Sequence, residues 1–311
     1  MSDAIRVGIL GFSEGNGHPF SFSAIINGYS DEGMAGSGWA AIHAYLRRRD
    51  PSEFGGLGLA VTHAWSQDAA MTDRLCTACL IPNAVTGASP QQMLGEVDAV
   101  IVARDDHETH LDLARPFLEA GLPVLIDKPL TMSLESLKAF QPYLNSGQLM
   151  SSSGMRYARE LDEPRAQLSD YGTLRLVRGA VLNDWSHYGI HLIDATLNLI
   201  PARPVAVTPL ASSHQSMAIE LNDGCLWQLD ALGDVPPCFR LDLFGTRLIT
   251  SHSVRDNFSM FRRLLFHFAL GIRDGRPAIP PSDTIAAIKL LIAGDRALRE
   301  KRTVRLDELE V

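Results

Sequence analysis

Four short, unbroken apolar runs divide the first 150 residues, and they constrain the fold more than any other feature of the chain. The runs lie at 6–10, 57–63, 98–103 and 123–127, and they are rich in Val, Ile and Leu without polar alternation. Strands buried on both faces of a parallel sheet have this composition. Segments with helical spacing separate them, so the pattern predicts a doubly wound parallel sheet with helices on both faces.

The chain changes character after residue 150. Two strand-like segments flank the turn signal Asn222-Asp223-Gly224, and another strand is expected within 238–245. Two helices are expected at 257–272 and 282–298. These features predict an α/β domain with an open, largely antiparallel sheet.

The length and composition allow two domains. A chain of 311 residues with 46% hydrophobic and 21% charged residues can bury two cores. We therefore expect a domain at 1–150 and a second at 151–311, with the crossover between them at 145–154.

Charge and hydropathy narrow the function classes. A net charge of −8 and the absence of a long basic run argue against a nucleic-acid partner. No stretch approaches the roughly 20 apolar residues of a membrane span, and the start of the chain lacks a secretory pattern. We expect a cytoplasmic protein that does not bind membranes.

The cysteines give a weak metal signal. Cys76 and Cys79 form a CxxC within a helical pattern, while Cys225 and Cys238 lie thirteen residues apart. A zinc ribbon needs a second close pair. Ordinary buried thiols are therefore favoured, and no bound metal is expected.

The loop after the first apolar run, GFSEGNGHPFSFSA at 11–24, lies where a dinucleotide fold wraps phosphate. Helix-start N–H groups at the carboxyl edge of a parallel sheet favour an anion there. The usual GxGxxG spacing would place glycines at 11, 13 and 16, whereas this chain has Ser13 and Asn16, with Gly15 and Gly17 instead. The loop predicts a bulkier nucleotide turn, with a plain tight turn or a different anion site as alternatives.

The second strand lacks the acid that usually binds the ribose hydroxyls of NAD. His63 stands at its expected end, with Trp65, Ser66 and Asp68 just beyond. No Arg stands there that would favour binding of a 2′-phosphate. Trp65 either stacks on adenine or packs against the next helix.

Two later motifs resemble the glucose-fructose oxidoreductase, inositol dehydrogenase and MocA family (Gfo/Idh/MocA). In segment 98–137, His110 and Lys128 stand at the family interval, and Asp127-Lys128-Pro129 takes the place of Glu-Lys-Pro. In segment 183–200, Gly189, His191 and Asp194 match a D-x-G-x-H-x-x-D pattern. The resemblance extends over nearly the whole chain.

The resemblance implies a Rossmann domain that holds NAD or NADP, and hydride transfer at a hydroxyl or keto carbon of a sugar, cyclitol or sugar nucleotide. It also implies an open sheet that faces substrate or another subunit, so we expect a homo-oligomer, either dimer or tetramer. The candidate cofactor contacts follow strand ends: Gly11, Phe12, Ser13, Gly15, Gly17, His63, Trp65, Ser66, Asp105, Asp106 and Asp127.

Lys128 and His191 are the candidate catalytic pair. Alcohol oxidation needs a base near pKa 7 and a positive group for the developing alkoxide. His191 suits the proton exchange and Lys128 suits the polarising role. We expect the two to converge at one pocket between the domains, and the Lys128-Pro129 bond to be a candidate cis peptide.

The chain departs from the family pattern at several positions. His187 replaces the Asp four residues before His191, and Asp105-Asp106-His107 replaces Thr-Pro-Asn near the expected nicotinamide ribose. On a helix, i and i+4 share a face, so His187 would also project toward substrate and orient it or tune His191. The lost carboxylate would have raised the pKa of His191, and Asp184 is a partial substitute.

Other interpretations remain open. His187 and His191 with Asp184 or Asp194 could bind zinc in a metal-assisted lyase or hydrolase, or form a structural pair. Asp105 or Asp106 could cap the following helix. The altered positions also leave room for a catalytically silent ligand-binding or regulatory protein that kept the fold.

Overall fold

A computed structural model describes residues 4–87 and 89–310 of the chain. They divide into two compact units. The first holds residues up to Leu130, Phe140–Ser151 and Asn257–Ile279, and the second holds Thr131–Ala139, Ser152–Asp256 and residues from Pro280 onward. The predicted division at residue 150 differs from this one because a late helical segment packs with the first unit.

The first unit contains a sheet of six parallel strands in the order β3-β2-β1-β4-β5-β6. The strands are β1 (Ile5–Leu10), β2 (Leu59–Trp65), β3 (Asn83–Ala84), β4 (Ala99–Val102), β5 (Val124–Ile126) and β6 (Leu149–Ser151). The apolar runs pair side by side; β4 and β5 are buried throughout, whereas β2 alternates between buried and half-buried residues. The doubly wound sheet is confirmed, and its strand order reverses between β1 and β4.

Two strands and one strand end differ from the prediction. β3 and β6 have two and three residues, too few to show a hydrophobic period, so the segment 145–154 contains a strand where a crossover was expected. β2 continues to Trp65, which pairs with Leu10. His63 consequently lies inside the strand rather than at its end.

Ten helices accompany the two sheets across the described residues. They are α1 (His18–Asn27), α2 (Asp31–Ala35), α3 (Ala40–Leu46), α4 (Ala69–Cys79), α5 (His110–Glu119), α6 (Leu134–Ser146), α7 (Asp162–Ala166), α8 (Ile190–Leu199), α9 (Asn257–Asp274) and α10 (Pro281–Glu300). The Asp68 carboxylate caps α4 by accepting from Ala70 N–H. α5 continues through Pro116, and Gly121 follows it with a positive φ of 84°.

The second unit is built on a mixed sheet of seven strands in the order β12-β11-β7-β10-β9-β8-β13. The strands are β7 (Leu174–Val181), β8 (Pro204–Leu210), β9 (Gln215–Leu221), β10 (Leu226–Ala231), β11 (Phe239–Gly245), β12 (Ile249–Ser253) and β13 (Val304–Arg305). β7 and β10 are parallel, and the other pairs are antiparallel. The open, largely antiparallel sheet is confirmed.

One face of this second sheet carries an exposed row of apolar side chains. Cross-strand register places Ile249, Phe244, Leu176 and Leu226 side by side on β12, β11, β7 and β10, and we call these four residues the apolar row. Ile249 is 63% exposed and Leu226 is 46% exposed. The opposite face packs against α8 and α10.

None of the helices in residues 4–87 and 89–310 combines the length and the apolar character that a membrane crossing requires.

Candidate functional site

The carboxyl edge of the first sheet gathers polar side chains from three neighbouring strands. Ser13 follows β1, Asp105 follows β4 and Lys128 follows β5, and these strands are adjacent. The edge is also where the strand order reverses, the usual ligand position of an open parallel sheet.

Asp105 links the other two residues. The Ser13 hydroxyl donates to Asp105 Oδ1 at 2.5 Å, and the Asp105 backbone N–H donates back to Ser13 Oγ at 3.2 Å. The Lys128 Nζ lies 3.6 Å from Asp105 Oδ2, and its side chain is only 8% exposed. Three sequence-predicted residues are therefore brought together within one unit, and Lys128 is held beside a carboxylate rather than loose on the surface.

Asp127 ties the glycine loop to the end of β5. Its buried carboxylate accepts from Asn16 Nδ2 at 3.0 Å, from His18 Nδ1 at 2.5 Å and from the Lys128 backbone N–H at 2.8 Å. Burial would raise the pKa of Asp127, but the His18 imidazole, the Lys128 ammonium and the Asn16 amide outweigh it and lower the pKa to about 2. Asp127 is thus an ionised acceptor inside the loop cluster.

Sequence reasoning missed Asn16 and His18 as site residues. Asn16 was visible only as a missing glycine, and its side chain also accepts from the His18 N–H at 2.8 Å. Gly17 lies beneath aromatic and aliphatic side chains, since a Cβ there would be 2.5 Å from Ile42. Gly15 is exposed with a φ of 79°, and Gly11 at the start of the loop has a φ of 86°, so both need the positive φ that favours glycine.

Arg104 was also missed, and it lies across the glycine turn. A Cβ on Gly11 would approach the Arg104 Cδ to 2.2 Å, so only glycine allows this packing. The guanidinium pairs with both oxygens of Asp106 and donates to Gln67 Oε1 at 3.0 Å. The Gln67 amide in turn donates to the carbonyl oxygen of Phe12.

Asp106 is engaged by Arg104 and does not cap a helix. Partial burial raises the pKa of Asp106, yet the Arg104 guanidinium outweighs that effect and leaves the pKa below its ordinary value. Its side chain makes no capping bond to the turn that follows. The alternative of a helix-capping Asp106 is therefore wrong.

The residues at the end of β2 are largely internal. Trp65 is buried and its indole N–H donates to the Gly87 carbonyl at 3.0 Å, in keeping with packing rather than with a stacking surface. The Ser66 hydroxyl bonds to Asp68 O and to Thr72 Oγ1. His63, which is set within the strand, has a pKa lowered by burial. Gln67, rather than the predicted His63, is the polar side chain that reaches the glycine loop.

His110 connects two segments of the same edge. It is fully buried, with Nδ1 3.0 Å from the Leu130 carbonyl and Nε2 3.0 Å from the Arg104 carbonyl. The Lys128–Pro129 peptide is cis. His110 therefore links the loop after β4 to the backbone just beyond Lys128–Pro129.

These residues fit a dinucleotide in part. Ser13, Arg104 and Lys128 offer a hydroxyl, a guanidinium and an ammonium at the carboxyl edge, and diphosphates are bound by such donors. The acid that would bind ribose at the end of β2 is replaced by Ser66 and Gln67.

In the second unit, His191 is buried in the first turn of α8. Its Nδ1 lies 2.7 Å from Ser153 Oγ, and the ring contacts those of Tyr188 and Phe239 at centroid distances of 5.5 and 5.4 Å. Ser153 lies two residues beyond β6, which sequence reasoning had treated as a crossover. No sequence signal marked it.

His187 has surroundings different from those of His191. It belongs to a π turn, Trp185–Gly189, its side chain is 61% exposed, and its Nδ1 lies 2.9 Å from the Asp184 carboxylate. The expectation that His187 and His191 present one helical face is not met, because α8 begins only after the π turn. Asp184 serves His187 rather than replacing a carboxylate at His191.

Trp185 attaches the π turn to α10. Its indole N–H donates to the Leu291 carbonyl at 2.8 Å, and its ring fills the space left by Gly294. A Cβ at Gly294 would lie 2.3 Å from the indole. Packing between the turn and α10 thus sets where α8 starts.

A buried ion network lies behind His191. Asp194 accepts from the Ser153 N–H at 2.7 Å and from Ser152 Oγ at 3.0 Å, and lies 3.5 Å from Arg156. Arg156 also pairs with Asp283 at 2.6 Å. Burial raises the pKa of Asp194 despite the opposing effect of Arg156.

Within the two described ranges, no group of three or more metal-ligating side chains is close enough to hold an ion. The four cysteines are free thiols, and burial raises the pKa of Cys76 to about 11. A raised pKa disfavours the thiolate that metal binding and redox chemistry need.

Asp127→Asn should cost roughly 2 kcal/mol of unfolding free energy at pH 7, since a pKa shift of this size carries about that energy. The folded pKa, about 2, lies below the ordinary 3.8, so this contribution is present above about pH 4 and is lost as pH falls toward 2. Urea unfolding at several pH values measures it. Asp112→Asn, at an exposed position of α5, is the matched control. A wild-type to variant difference that stays constant from pH 5 to pH 2 would contradict the assignment.

Comparison with known proteins gives a family match that covers the first of the two motifs, at 98–137. Residues 32–154 match the Gfo/Idh/MocA family model, described as an oxidoreductase family with an NAD-binding Rossmann fold. The match begins beyond the altered glycine loop. No curated protein sequence is similar enough to count as a match.

Solved structures with the same fold include three dehydrogenases or reductases. Myo-inositol 2-dehydrogenase from Lactobacillus plantarum is 15% identical with a TM-score of 0.75, over 97% of this chain and 99% of that one. Scyllo-inositol dehydrogenase from Lactobacillus casei, solved with NAD(H) and scyllo-inositol, is 14% identical with a TM-score of 0.75, over 98% and 99%. A putative NADPH-dependent oxidoreductase from Desulfitobacterium hafniense is 13% identical with a TM-score of 0.76, over 99% of both chains.

At these identities the structural likeness establishes the fold. The family model matches less than half of the chain, and the resemblance read from the motifs is confirmed over that segment. Residues 32–154 are similar to the NAD-binding Rossmann fold of the Gfo/Idh/MocA oxidoreductase family.

Proposed function

We propose that the protein is an NAD(P)-dependent oxidoreductase that transfers a hydride to or from a hydroxyl or keto carbon of a sugar, cyclitol or sugar nucleotide. The observation that carries the proposal is the Ser13, Asp105 and Lys128 cluster at the point where the parallel sheet reverses its strand order. A buried lysine at that edge is placed to stabilise negative charge on a polar ligand.

The cofactor would be held by the loops after β1 and β4. Ser13 and Arg104 lie at the glycine turn, where the diphosphate is expected, and Asp105 lies between the turn and Lys128. Arg104 is paired with Asp106 and would exchange part of this pairing for the phosphate. The bound nicotinamide supplies or accepts the hydride.

In the family that the chain resembles, the lysine and the histidine of these motifs act at the reacting oxygen of the substrate, and we propose these roles for Lys128 and for His191. The Lys128 ammonium stabilises negative charge that develops on that oxygen. His191 provides a second hydrogen-bonding group, presented from the first turn of α8. His187, with its exposed imidazole paired to Asp184, orients substrate rather than tuning His191 directly.

A polar cavity in the second unit suits a polyhydroxylated substrate. Its volume is about 340 Å³, and it lies where β7 and β10 end. Its polar lining residues are Asn183, Asp184, Ser213, His214, Gln215 and Asp234. These carboxylate and amide groups supply hydrogen-bond acceptors and donors for the hydroxyl groups of a cyclitol. A cyclitol is the class of compound bound by one structural neighbour.

Titration of the protein with NADH and NADPH, followed by nicotinamide fluorescence, tests the proposal. We expect Arg104→Ala to weaken binding about tenfold, because the loss of one charge-assisted contact to phosphate is worth roughly 1.4 kcal/mol or more. Arg104→Lys should bind the cofactor with an affinity between those of the wild type and Arg104→Ala. Arg115→Ala, at an exposed position of α5, is the charge-matched control and should bind as wild type.

Unchanged or tighter binding by Arg104→Ala would show that the guanidinium obstructs the turn rather than holding the diphosphate. Lys128→Ala should still bind the cofactor while losing at least about 100-fold in turnover of a polyol panel. Wild-type protein that binds neither cofactor at millimolar concentration would remove the proposed function altogether.

We also propose that the apolar row is a self-association surface of the second unit. Ile249, Phe244, Leu176 and Leu226 form a contiguous strip on an uncovered sheet face, and a symmetric partner would bury it. Sedimentation analysis of Leu226→Asp and Ile249→Asp should show dissociation of a wild-type oligomer, since each places a charge in the strip. Leu80→Asp, at an exposed leucine of the first unit, is the control. A wild-type monomer would refute this surface.

A further inference from the structure

Ser153 makes a side-chain contact with His191 that specifies how the imidazole carries its hydrogen. The Ser153 residue is completely buried, and its Oγ lies 2.7 Å from His191 Nδ1. The same oxygen accepts the Met155 backbone N–H at 3.2 Å. His191 Nδ1 and the Met155 N–H are thus the two hydrogen-bond partners seen for the Ser153 hydroxyl.

A hydroxyl has one hydrogen to donate and two lone pairs to accept with. Met155 N–H takes one lone pair of Ser153 Oγ, which leaves the hydrogen to be placed. Within the described part of the chain, His191 Nδ1 is the acceptor that lies within hydrogen-bond distance of this hydroxyl. Because a buried hydroxyl hydrogen needs a partner, Ser153 donates to Nδ1, and Nδ1 carries no hydrogen of its own.

The groups around the imidazole agree with a neutral ring. Asp194, the acid on the same helix, already accepts from the Ser153 N–H and the Ser152 hydroxyl and pairs with Arg156. The rings of Tyr188 and Phe239, which also stack on each other, both contact the His191 ring edge to face. A hydroxyl that donates to Nδ1 is incompatible with an imidazolium, in which both ring nitrogens carry hydrogen.

We propose that Ser153 is a positioning residue that holds His191 as the neutral tautomer with its hydrogen on Nε2, so that His191 meets its ligand as a hydrogen-bond donor and not as a base. The geometry stands without the proposed oxidoreductase function, but the catalytic meaning rests on it. Ser153 is thus a hydrogen-bond partner of His191 in a chain that has His187, and not an acid, four residues before that histidine.

The consequence for the reaction is an exchange of the roles expected from the sequence. In the reductive direction, a bound reduced nicotinamide would supply the hydride to the carbonyl carbon and become oxidised, and the Lys128 ammonium would supply the proton that the oxygen gains. Lys128 becomes a neutral amine, and the product is an alcohol. A neutral His191 with its hydrogen on Nε2 would donate a hydrogen bond to its ligand and keep its proton, as a neutral imidazole acting as an electrophile does.

Nitrogen NMR of histidine-labelled protein without cofactor reads the tautomer directly. Two-bond hydrogen–nitrogen correlations distinguish a ring protonated at Nδ1, at Nε2 or at both, and loss of one spin system in His191→Gln assigns His191. At pH 7 we expect the neutral Nε2–H pattern in the wild type. We expect Ser153→Ala to shift the pattern toward Nδ1–H or the doubly protonated ring.

Two variants separate the hydroxyl contact from general packing. Ser153→Thr keeps the hydroxyl and should keep the wild-type pattern. Ser152→Ala removes a neighbouring buried hydroxyl that bonds to Asp194 and not to His191, so it should also keep it. If Ser153→Ala fails to fold, the wild-type and Ser153→Thr spectra still decide the tautomer.

A wild-type ring with its hydrogen on Nδ1, or protonated on both nitrogens, would overturn the proposal. So would a Ser153→Ala spectrum identical to that of the wild type. Because the measurement needs no nicotinamide, it remains decisive if cofactor binding is absent, and failure of the oxidoreductase function is then seen separately in the fluorescence titration.

Discussion

The ionised carboxylate of Asp127 is the interaction on which the loop arrangement of the first unit depends. It is buried at the end of β5 and accepts hydrogen bonds from Asn16, His18 and the Lys128 backbone. A buried charge is tolerable only with such partners. The same carboxylate therefore fixes the conformation of an altered glycine loop and places Lys128 beside it, joining the expected cofactor turn to the expected catalytic lysine.

In the second unit, His191 has a neutral hydrogen-bond partner, and a buried network of charged residues lies on the same helix and the segment after β6. His191 contacts a serine hydroxyl, and the nearest buried acid, Asp194, is occupied by Arg156 and by two donors from the segment after β6. That acid is thereby paired with a guanidinium and with two hydrogen-bond donors. The chain has His187 where the family pattern has Asp, and its His191 is hydrogen-bonded to the Ser153 hydroxyl.

The sequence predicts the parallel sheet well because buried strands in it are continuous apolar runs, and Lys128 follows one of these runs directly. The Ser13 to Asp105 bond joins residues 92 positions apart, so no local pattern could show it. His63 was misplaced because β2 continues through two further apolar residues. Ser153 and Arg104 carried no motif, since their importance comes from which backbone and ring atoms the fold brings to them.

The start of α8 shows a second reason why sequence reasoning falls short. Helical spacing places His187 and His191 on one face, but the packing of Trp185 into the space above Gly294 accompanies a π turn there. Tertiary packing overrides local periodicity in such cases. The two histidines consequently differ in burial and in partners.

Hydrogen–deuterium exchange with and without saturating NADH tests most directly whether the carboxyl edge of the first sheet is the cofactor site. The account predicts slowed exchange of backbone amides in residues 11–18 and 104–107, which form the glycine turn and the loop after β4. Slowed exchange confined to other segments, with these two loops unchanged although NADH is bound, would contradict it.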